Sequence, residues 1–516
     1  MRASILIDCR DSSSKAVNRE LGVRISQFLP INGQLILTRQ FSEFKRNFSA
    51  VFCSVVVPTD YVLSPVEQAA LDGNYCKIIR STDNFGVMNY ADFNNLDDVD
   101  CVVLLHGNSF YESFSYDDAI IFCRTLVPSE FSHLRFRDNQ CYMFNGSFCL
   151  SVKTFQALTE AKKDETFSFN NVSDFICSWD FCEFLASENF CIEGWSDIFY
   201  LQMKGVTSRY FNDITVSKTQ INKRSDNINK TLNEARWFRE APAQLQCFLP
   251  KLISERIRNE IEAEYVMQRV PGITLSDLFV FCDMPDVIWE DIFRDTNRFL
   301  GSCRELHRPS SAVNSVSKSD LFVKKTISRL ENFIQSHEMT WDTEFVVNNV
   351  RIKKLRDIID DMEKIVSSLE EEERLFHGDF CFSNILYESK LNAIYVIDPR
   401  ASDNTGEFSL YGDLSYDYCK FFHSLFGLYD LIANGYFNVT FGGNGRLTFE
   451  LFQNPKIVTI QGIFDELGLI PEAYKIKILR LMPALFLSML PLHAENPERQ
   501  FALFANGLLL SERNYS

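Results

Sequence analysis

The sequence predicts two architectures in series: an α/β layered domain over residues 1–205, then an α+β unit of two lobes, 206–272 and 273–516. Three observations predict them. Apolar runs at 4–7, 34–37, 49–57 and 100–105 read as buried strands, and they alternate with more polar, helix-compatible stretches, the pattern of helices layered on a sheet. From 206 to 272 the chain turns strand-rich, and from 273 onward apolar positions recur at three- and four-residue intervals. Within that helical part, 375–398 stands out. Two short apolar runs, 374–376 and 393–397, each lead to an aspartate, Asp379 and Asp398, and Asn384 follows the first by five residues.

Bulk properties bound the function. A chain of 516 residues is too long for one ordinary domain, and a hydrophobic fraction of 46% against 23% charged excludes the disordered class. A net charge of −17 argues against nucleic acid as a partner, because phosphate backbones are held by clustered Lys and Arg. It leaves a nucleotide open, since one lysine and a metal ion offset triphosphate charge locally. The fifteen cysteines lack paired CxxC spacing, and residues 1–8 do not read as a signal peptide, so reduced thiols and a cytoplasmic location are expected. The apolar run 478–492 is about 15 residues and carries Pro483 and Pro491, short of the ~20 needed to span a bilayer. A core helix is expected there, without membrane insertion.

In the strand-rich stretch, 210–216, 219–223, 249–256 and 260–270 read as strands, the last two as a hairpin, with a helix at 227–239. Lys223 follows a short strand and Glu234 lies on the next helix, the layout in which a carboxylate steers a lysine onto phosphates. Lys230 is the rival for that lysine, but four residues before Glu234 on one helix it more simply makes a surface ion pair. No glycine occurs in 211–223, so phosphate cover falls to ordinary backbone amides. Tyr265-Val-Met-Gln-Arg-Val-Pro-Gly reads as a strand leaving its sheet at Pro271-Gly272, as a hinge between lobes would. Adenine is then expected on its backbone, at Tyr265 and Met267, although an edge strand and turn would read the same. Helices are expected at 287–306, 320–335, 355–369, 415–433 and 474–492, and a loop at 309–319.

The stretch 375–398 supplies what phosphoryl transfer needs: a carboxylate to accept the attacking hydroxyl's proton, and a carboxylate and an amide oxygen to hold Mg2+ against phosphates. His377-Gly-Asp-Phe-Cys-Phe-Ser-Asn-Ile-Leu-Tyr, followed by Val396-Ile-Asp-Pro-Arg, resembles the catalytic and metal loops of the aminoglycoside and choline kinase-like phosphotransferases. Over 206–516 that resemblance implies a protein-kinase-like fold. It implies Asp379 as catalytic base, Asn384 and Asp398 as Mg2+ ligands, Lys223 with Glu234 as the phosphate-positioning pair, and ATP and Mg2+ as cofactors. His377 is then structural, and Gly378 permits the tight loop. Arg400 is a candidate for an anion or a surface ion pair, and the family's usual glycine after it is replaced by Ala401.

Tyr411-Gly-Asp-Leu-Ser-Tyr-Asp-Tyr-Cys-Lys resembles a segment of the subset found beside polysaccharide and capsule genes, often fused to a sugar nucleotidyltransferase. Asp413 and Asp417 there fit a helix N-cap and first turn as well as a substrate role. The start of the chain, Asn18-Arg-Glu-Leu-Gly and Leu29-Pro-Ile-Asn-Gly, resembles nucleotidyltransferases of the glycosyltransferase-A type. Asp8-Cys-Arg-Asp-Ser-Ser-Ser-Lys has no glycine where that family has its phosphate loop, and His106-Gly-Asn-Ser offers an amide where it has a metal-binding aspartate. The first domain is therefore read as inactive. The implied function is a small-molecule kinase acting on a hydroxyl of a sugar or sugar-like precursor of a cell-surface polysaccharide. A pseudokinase scaffold and a bifunctional kinase/nucleotidyltransferase are the alternatives, with homo-oligomer or envelope-synthesis partners left open.

Overall fold

A computed structural model describes residues 2–10, 17, 21–81, 98–106, a set of strands between 87 and 191, residue 198, and 213–515 apart from 259–260, 309–315, 371–372, 404 and 444. The chain divides into two compact units, Met1–Gln202 with Phe281–Asp283, and Met203–Val280 with Met284–Ser516.

The first unit is built on a mixed eight-stranded sheet. Its strands β1 (Arg2–Asp8), β2 (Ala50–Pro58), β3 (Lys77–Ser81), β4 (Cys101–His106), β5 (Ala119–Thr125), β6 (Gln140–Ser151) and β7 (Glu183–Leu185) run in the order β7-β5-β6-β4-β1-β2-β3, and Leu134–Arg137 pairs on β6. β1 pairs in parallel with both β2 and β4, whereas β6 is antiparallel to β4 and β5. Burial on both faces explains why β1 reads Ala-Ser-Ile-Leu-Ile without alternation. The expected strand at 34–37 is corrected. Gln34–Leu35 forms only a two-residue pairing with Pro30–Ile31, and helix α1 (Ile36–Asn47) begins at once. Its buried positions Ile36, Leu37, Gln40, Phe41 and Phe44 follow helical spacing, a pattern that the apolar run alone conceals. A second helix, α2 (Pro65–Asp72), starts in a capping box between Ser64 and Glu67. Residues 11–15 of the expected phosphate-loop stretch, and Gly107 and Asn108, lie outside the described residues.

The second unit opens with four antiparallel strands, β8 (Asp213–Val216), β9 (Gln220–Ser225), β10 (Leu252–Arg258) and β11 (Glu262–Gln268), in the order β8-β9-β11-β10. Helix α3 (Ile228–Glu240), capped by the Asn227 side chain on Lys230 N–H, packs on β11 and β10 and buries Ala235, Trp237 and Phe238. The rest is mainly helical: α4 (Asp286–Glu305), α5 (Lys325–Ser336, continuing a π turn at Asp320–Lys324), α6 (Leu355–Ser368), α7 (Ser415–Leu425), α8 (Glu472–Met489) and α9 (Pro497–Ser511). Two short pairings carry the loops of interest, Glu373–Leu375 with Tyr411–Asp413 and Ile385–Glu388 with Ala393–Val396.

The helix expected at 415–433 is two. After α7 the chain breaks at Gly427, where a Cβ would lie 2.6 Å from the His423 carbonyl oxygen, and at Leu428 with φ +57°, before a short helix Tyr429–Ala433. All eleven residues of α7 are buried, and α8 packs on α5, α7 and α9. Among the described residues 472–493 is one helical stretch long and apolar enough to cross a membrane, and 67% of its apolar window is buried in the unit, as in a core helix. Phenylalanines form the floor beneath the loops: Phe380 stacks on Phe299 at 5.0 Å, and Phe382 meets Phe279 at 5.2 Å and Phe421 at 5.3 Å.

Candidate active site

Lys223 points from β9 into the space between the sheet and the helical part, and it is 6% exposed. Its Nζ donates to Glu234 Oε2 of α3 at 2.7 Å and to Asp398 Oδ1 at 3.0 Å. The Tyr265 hydroxyl, on the strand beside β9, donates to the same Glu234 oxygen at 3.1 Å. Burial alone would favour a neutral amine. Asp398 and Glu234 outweigh it, and the Lys223 pKa lies above the ordinary lysine value. Lys230, the rival lysine, makes the i,i+4 pair its spacing predicts, 3.9 Å from Glu234, with its own side chain 56% exposed but its partner carboxylate buried.

Asp379 follows a loop that two devices hold in place. Asp417, at the start of α7, accepts the His377 and Gly378 backbone N–H groups, each at 2.7 Å. Burial pushes its pKa up to about 7, against the pull of those donors. This carboxylate therefore sits in the first turn of α7, as one of its sequence readings has it, and from there anchors the loop. The His377 ring is the second device. Its Nε2 lies 2.9 Å from the Ile397 carbonyl and its Nδ1 accepts the Asp379 N–H at 3.3 Å, which fixes the tautomer with the proton on Nε2. Burial lowers its pKa to about 4, so the ring is neutral and braces the loop before Asp398 against the loop bearing Asp379. Gly378, at φ +77°, has no room for a Cβ, which would fall 2.6 Å from Arg400 Cβ.

The Asp379 carboxylate has both oxygens engaged. Asn384 Nδ2 donates to Oδ2 at 3.0 Å and to the Asp379 carbonyl at 2.9 Å, and Lys420 Nζ lies 2.7 Å from Oδ1. Burial would raise its pKa, but the Lys420 ammonium overrides this and holds it at about 2. Neighbouring Cys381 is held protonated by burial, its pKa pushed up to about 12. Asn384 and Asp398 border the same cavity and offer an amide and a carboxylate oxygen, the hard donors that Mg2+ takes together with phosphate oxygens and water. The residues fit that ion. Among the described residues no cluster of three or more His, Cys, Asp or Glu side chains forms an all-protein metal cage.

Lys223, Glu234, Asp379, Asn384 and Asp398 thus border one cavity of about 830 Å³. Tyr265 and Met267 do not present a free backbone to it. β11 is flanked by β9 and β10, so Tyr265 pairs with Lys223 and Glu255, and Met267 with Ile221 and Leu252. The expected adenine contact at their main chain is therefore corrected, since that backbone is committed to the sheet and the Tyr265 side chain serves Glu234 instead. Sequence reasoning passed over Lys420, Tyr416, Lys325 and Arg329, which also line the cavity. The signal for the first was a lysine inside the aromatic run Tyr416-Asp-Tyr-Cys-Lys-Phe-Phe, on a helix with no exposed face. The set as a whole combines a carboxylate able to take a hydroxyl proton, oxygen ligands for a metal, and a buried lysine for phosphates, which is the equipment of phosphoryl transfer.

No protein-family model matches the chain, and no curated protein matches it. Among solved structures, the chain is similar to aminoglycoside phosphotransferase APH(4)-Ia, at 11% identity and a TM-score of 0.36, over 60% of this chain and 93% of that one. A ternary complex of a thermostable mutant of the same enzyme with AMP-PNP and hygromycin B matches at 12% identity and a TM-score of 0.36, over 58% and 90%. The GDP complex of a point mutant of aminoglycoside 2'-phosphotransferase-IIIa matches at 14% identity and a TM-score of 0.37, over 60% and 89%.

Proposed function

We propose that this chain is an ATP- and Mg2+-dependent kinase that phosphorylates a hydroxyl group of a small molecule, and that the acceptor is a sugar or sugar-like precursor of a cell-surface polysaccharide. One observation carries the kinase reading: Lys223 and Asp398, 175 residues apart in sequence, meet at 3.0 Å in the cavity that also holds Asp379 and Asn384. Bound Mg2+ would supply charge neutralisation on the phosphates, held by Asn384 and Asp398. Lys223, charged and steered by Glu234, contributes the second cation. Asp379, ionised at neutral pH, orients the acceptor hydroxyl and takes its proton as transfer proceeds, with Asn384 and Lys420 fixing its two oxygens. The test is ADP release by purified protein with Mg·ATP across a panel of sugars, amino alcohols and aminoglycosides. A pseudokinase scaffold would release none and would show no thermal shift with Mg·ATP.

The sugar assignment and a role in envelope synthesis rest on the segment 411–420 and on the α/β character of the first unit. We read that unit as a nucleotidyltransferase-like domain without activity. In open α/β sheets ligands bind beyond the carboxyl ends of the strands where strand order reverses, here between β1 and β4. At the end of β1, Arg10 Nε and Nη2 donate to Asp8 at 2.8 and 2.9 Å, a two-pronged ion pair that engages both oxygens of that carboxylate. Pyrophosphate release with sugar phosphates would instead support a bifunctional enzyme. The described cysteines are free thiols, which supports a cytoplasmic location.

A further inference from the structure

The cavity of the proposed kinase carries more positive charge than its own carboxylates neutralise. Among the described residues, Lys223 and Lys230 face Glu234, Lys223 also meets Asp398, Lys420 meets Asp379, and Lys324 meets Asp320 at 2.8 Å. Asp403 is taken up by its own loop, accepting the Thr405 and Glu407 N–H groups at 2.8 and 3.1 Å. Lys325 and Arg329 have no such partner. Lys325 Nζ donates to the Tyr416 hydroxyl at 3.0 Å, and Arg329 Nη1 donates to the Ser488 carbonyl at 2.8 Å. Both border the cavity, both are partly buried, and neither meets a carboxylate among the described residues.

Their placement relative to Asp379 follows from helical spacing. Lys325 and Arg329 are four residues apart on α5 and therefore neighbours on one face, and Tyr416 and Lys420 are related in the same way on α7. The contacts form a ladder from Asp379 to Lys420, from Tyr416 to Lys325, and on to Arg329. The electrostatics agree. Burial would raise the Tyr416 pKa, yet Lys325 and Lys420 bring it below the ordinary tyrosine value. Lys325 and Arg329 are themselves lowered, first by burial, with the Arg400 guanidinium adding repulsion to both.

Desolvating cations without a counter-charge costs stability, and each still has donors to spare, three on an ammonium and five on a guanidinium with one used in each case. We propose that Lys325 and Arg329 form an anion subsite for the acceptor, so that the molecule phosphorylated carries a carboxylate or phosphate group in addition to the hydroxyl that Asp379 orients. This rests on the kinase reading of the cavity. A guanidinium beside an ammonium suits either anion, by a fork of two N–H bonds and a point charge. A polycationic acceptor would be repelled by the same pair.

The experiment is a thermal-shift titration of full-length protein saturated with Mg·AMP-PNP, which fills the phosphate sites of the nucleotide. The probes are glucose, glucuronate and glucose 6-phosphate. The expected result is a dose-dependent rise in Tm on the order of 2 °C or more with one or both anionic sugars, and none with glucose. The rise is lost in Lys325→Gln and Arg329→Gln and retained in Arg329→Lys. Which anion gives the rise tells carboxylate from phosphate. No rise with either anion in the wild type, an equal rise with glucose, or undiminished rises in both glutamine variants would overturn the subsite. A missing response to Mg·AMP-PNP itself counts against the kinase reading instead, and the anion titration without nucleotide then still decides the subsite.

Discussion

Two buried ion-pair clusters, one in each unit, differ in a way that separates structure from chemistry. In the first unit Asp8 and Arg10 close on each other, with side chains 0% and 4% exposed. In the second, Lys223 (7%) and Glu234 (3%) are as deeply buried, but the third member, Asp398, is 48% exposed and borders a cavity. A closed pair spends its charge internally. An open triad presents a half-solvated carboxylate and a lysine that can exchange one partner for a phosphate oxygen without leaving Glu234. Similar residue types thus carry different consequences, and exposure of one member decides which.

That contrast can be broken in graded ways. Asp379→Asn keeps the loop but removes the proton acceptor, and turnover in a coupled ADP assay should fall ~10³-fold, about 4 kcal/mol in the barrier, with Mg·ATP binding retained. Survival of near wild-type turnover would remove Asp379 from the chemistry. Arg10→Ala leaves a fully buried carboxylate without its partner and should destabilise the first unit by ~3–5 kcal/mol in denaturant unfolding while sparing nucleotide binding. Lys223→Ala also strands a buried glutamate, but here the Mg·ATP thermal shift should vanish too, the outcome that distinguishes an open cluster from a closed one.

Acidification gives a further test. His377 is neutral in the fold with its pKa lowered from 6.5 to about 4, so the stability it contributes is fully present above pH 6.5 and is lost as pH falls through about 4. The loss amounts to about 3 kcal/mol over that window at ~1.4 kcal/mol per pKa unit, and His423, lowered to about 3 by burial, acts in the same direction. A His377→Asn variant should flatten the decline of Tm between pH 6.5 and 4. Lys230→Ala sits at the small end, with an expected change under ~0.5 kcal/mol in the same unfolding measurement, because its ammonium is largely solvated and reaches Glu234 only at 3.9 Å.

What could be read from sequence depended on whether the partners were near in the chain or followed a spacing. Lys223 lies on a strand and Glu234 on the helix that follows it, and Asp379, Asn384 and Asp398 fall within one short stretch of chain whose pattern carries the resemblance to a kinase loop, so each was legible from its near neighbours in sequence. Tyr265 and Met267 misled because a strand leaving its sheet reads the same whether its backbone is free or paired, and only the neighbouring strands decide. Gln34–Leu37 misled because the apolar run Leu35-Ile36-Leu37 fits a strand, and the helix declares itself only at Gln40 and Phe41. Lys325 and Arg329 could not be found at all. Their relation to Tyr416 and Lys420 depends on two helices meeting some 90 residues apart in sequence, and no local pattern encodes that meeting.

The His377 ring has a consequence for how the two halves of the site communicate. One imidazole grips the carbonyl just before Asp398 and the amide of Asp379, and Asp417 clamps the loop from the other side. The proposed metal ligand and the proposed proton acceptor are therefore tied through one side chain, like two jaws on a shared pivot. In the proposed kinase, a shift of the Asp398 loop on nucleotide binding is thereby passed to Asp379 through a single imidazole.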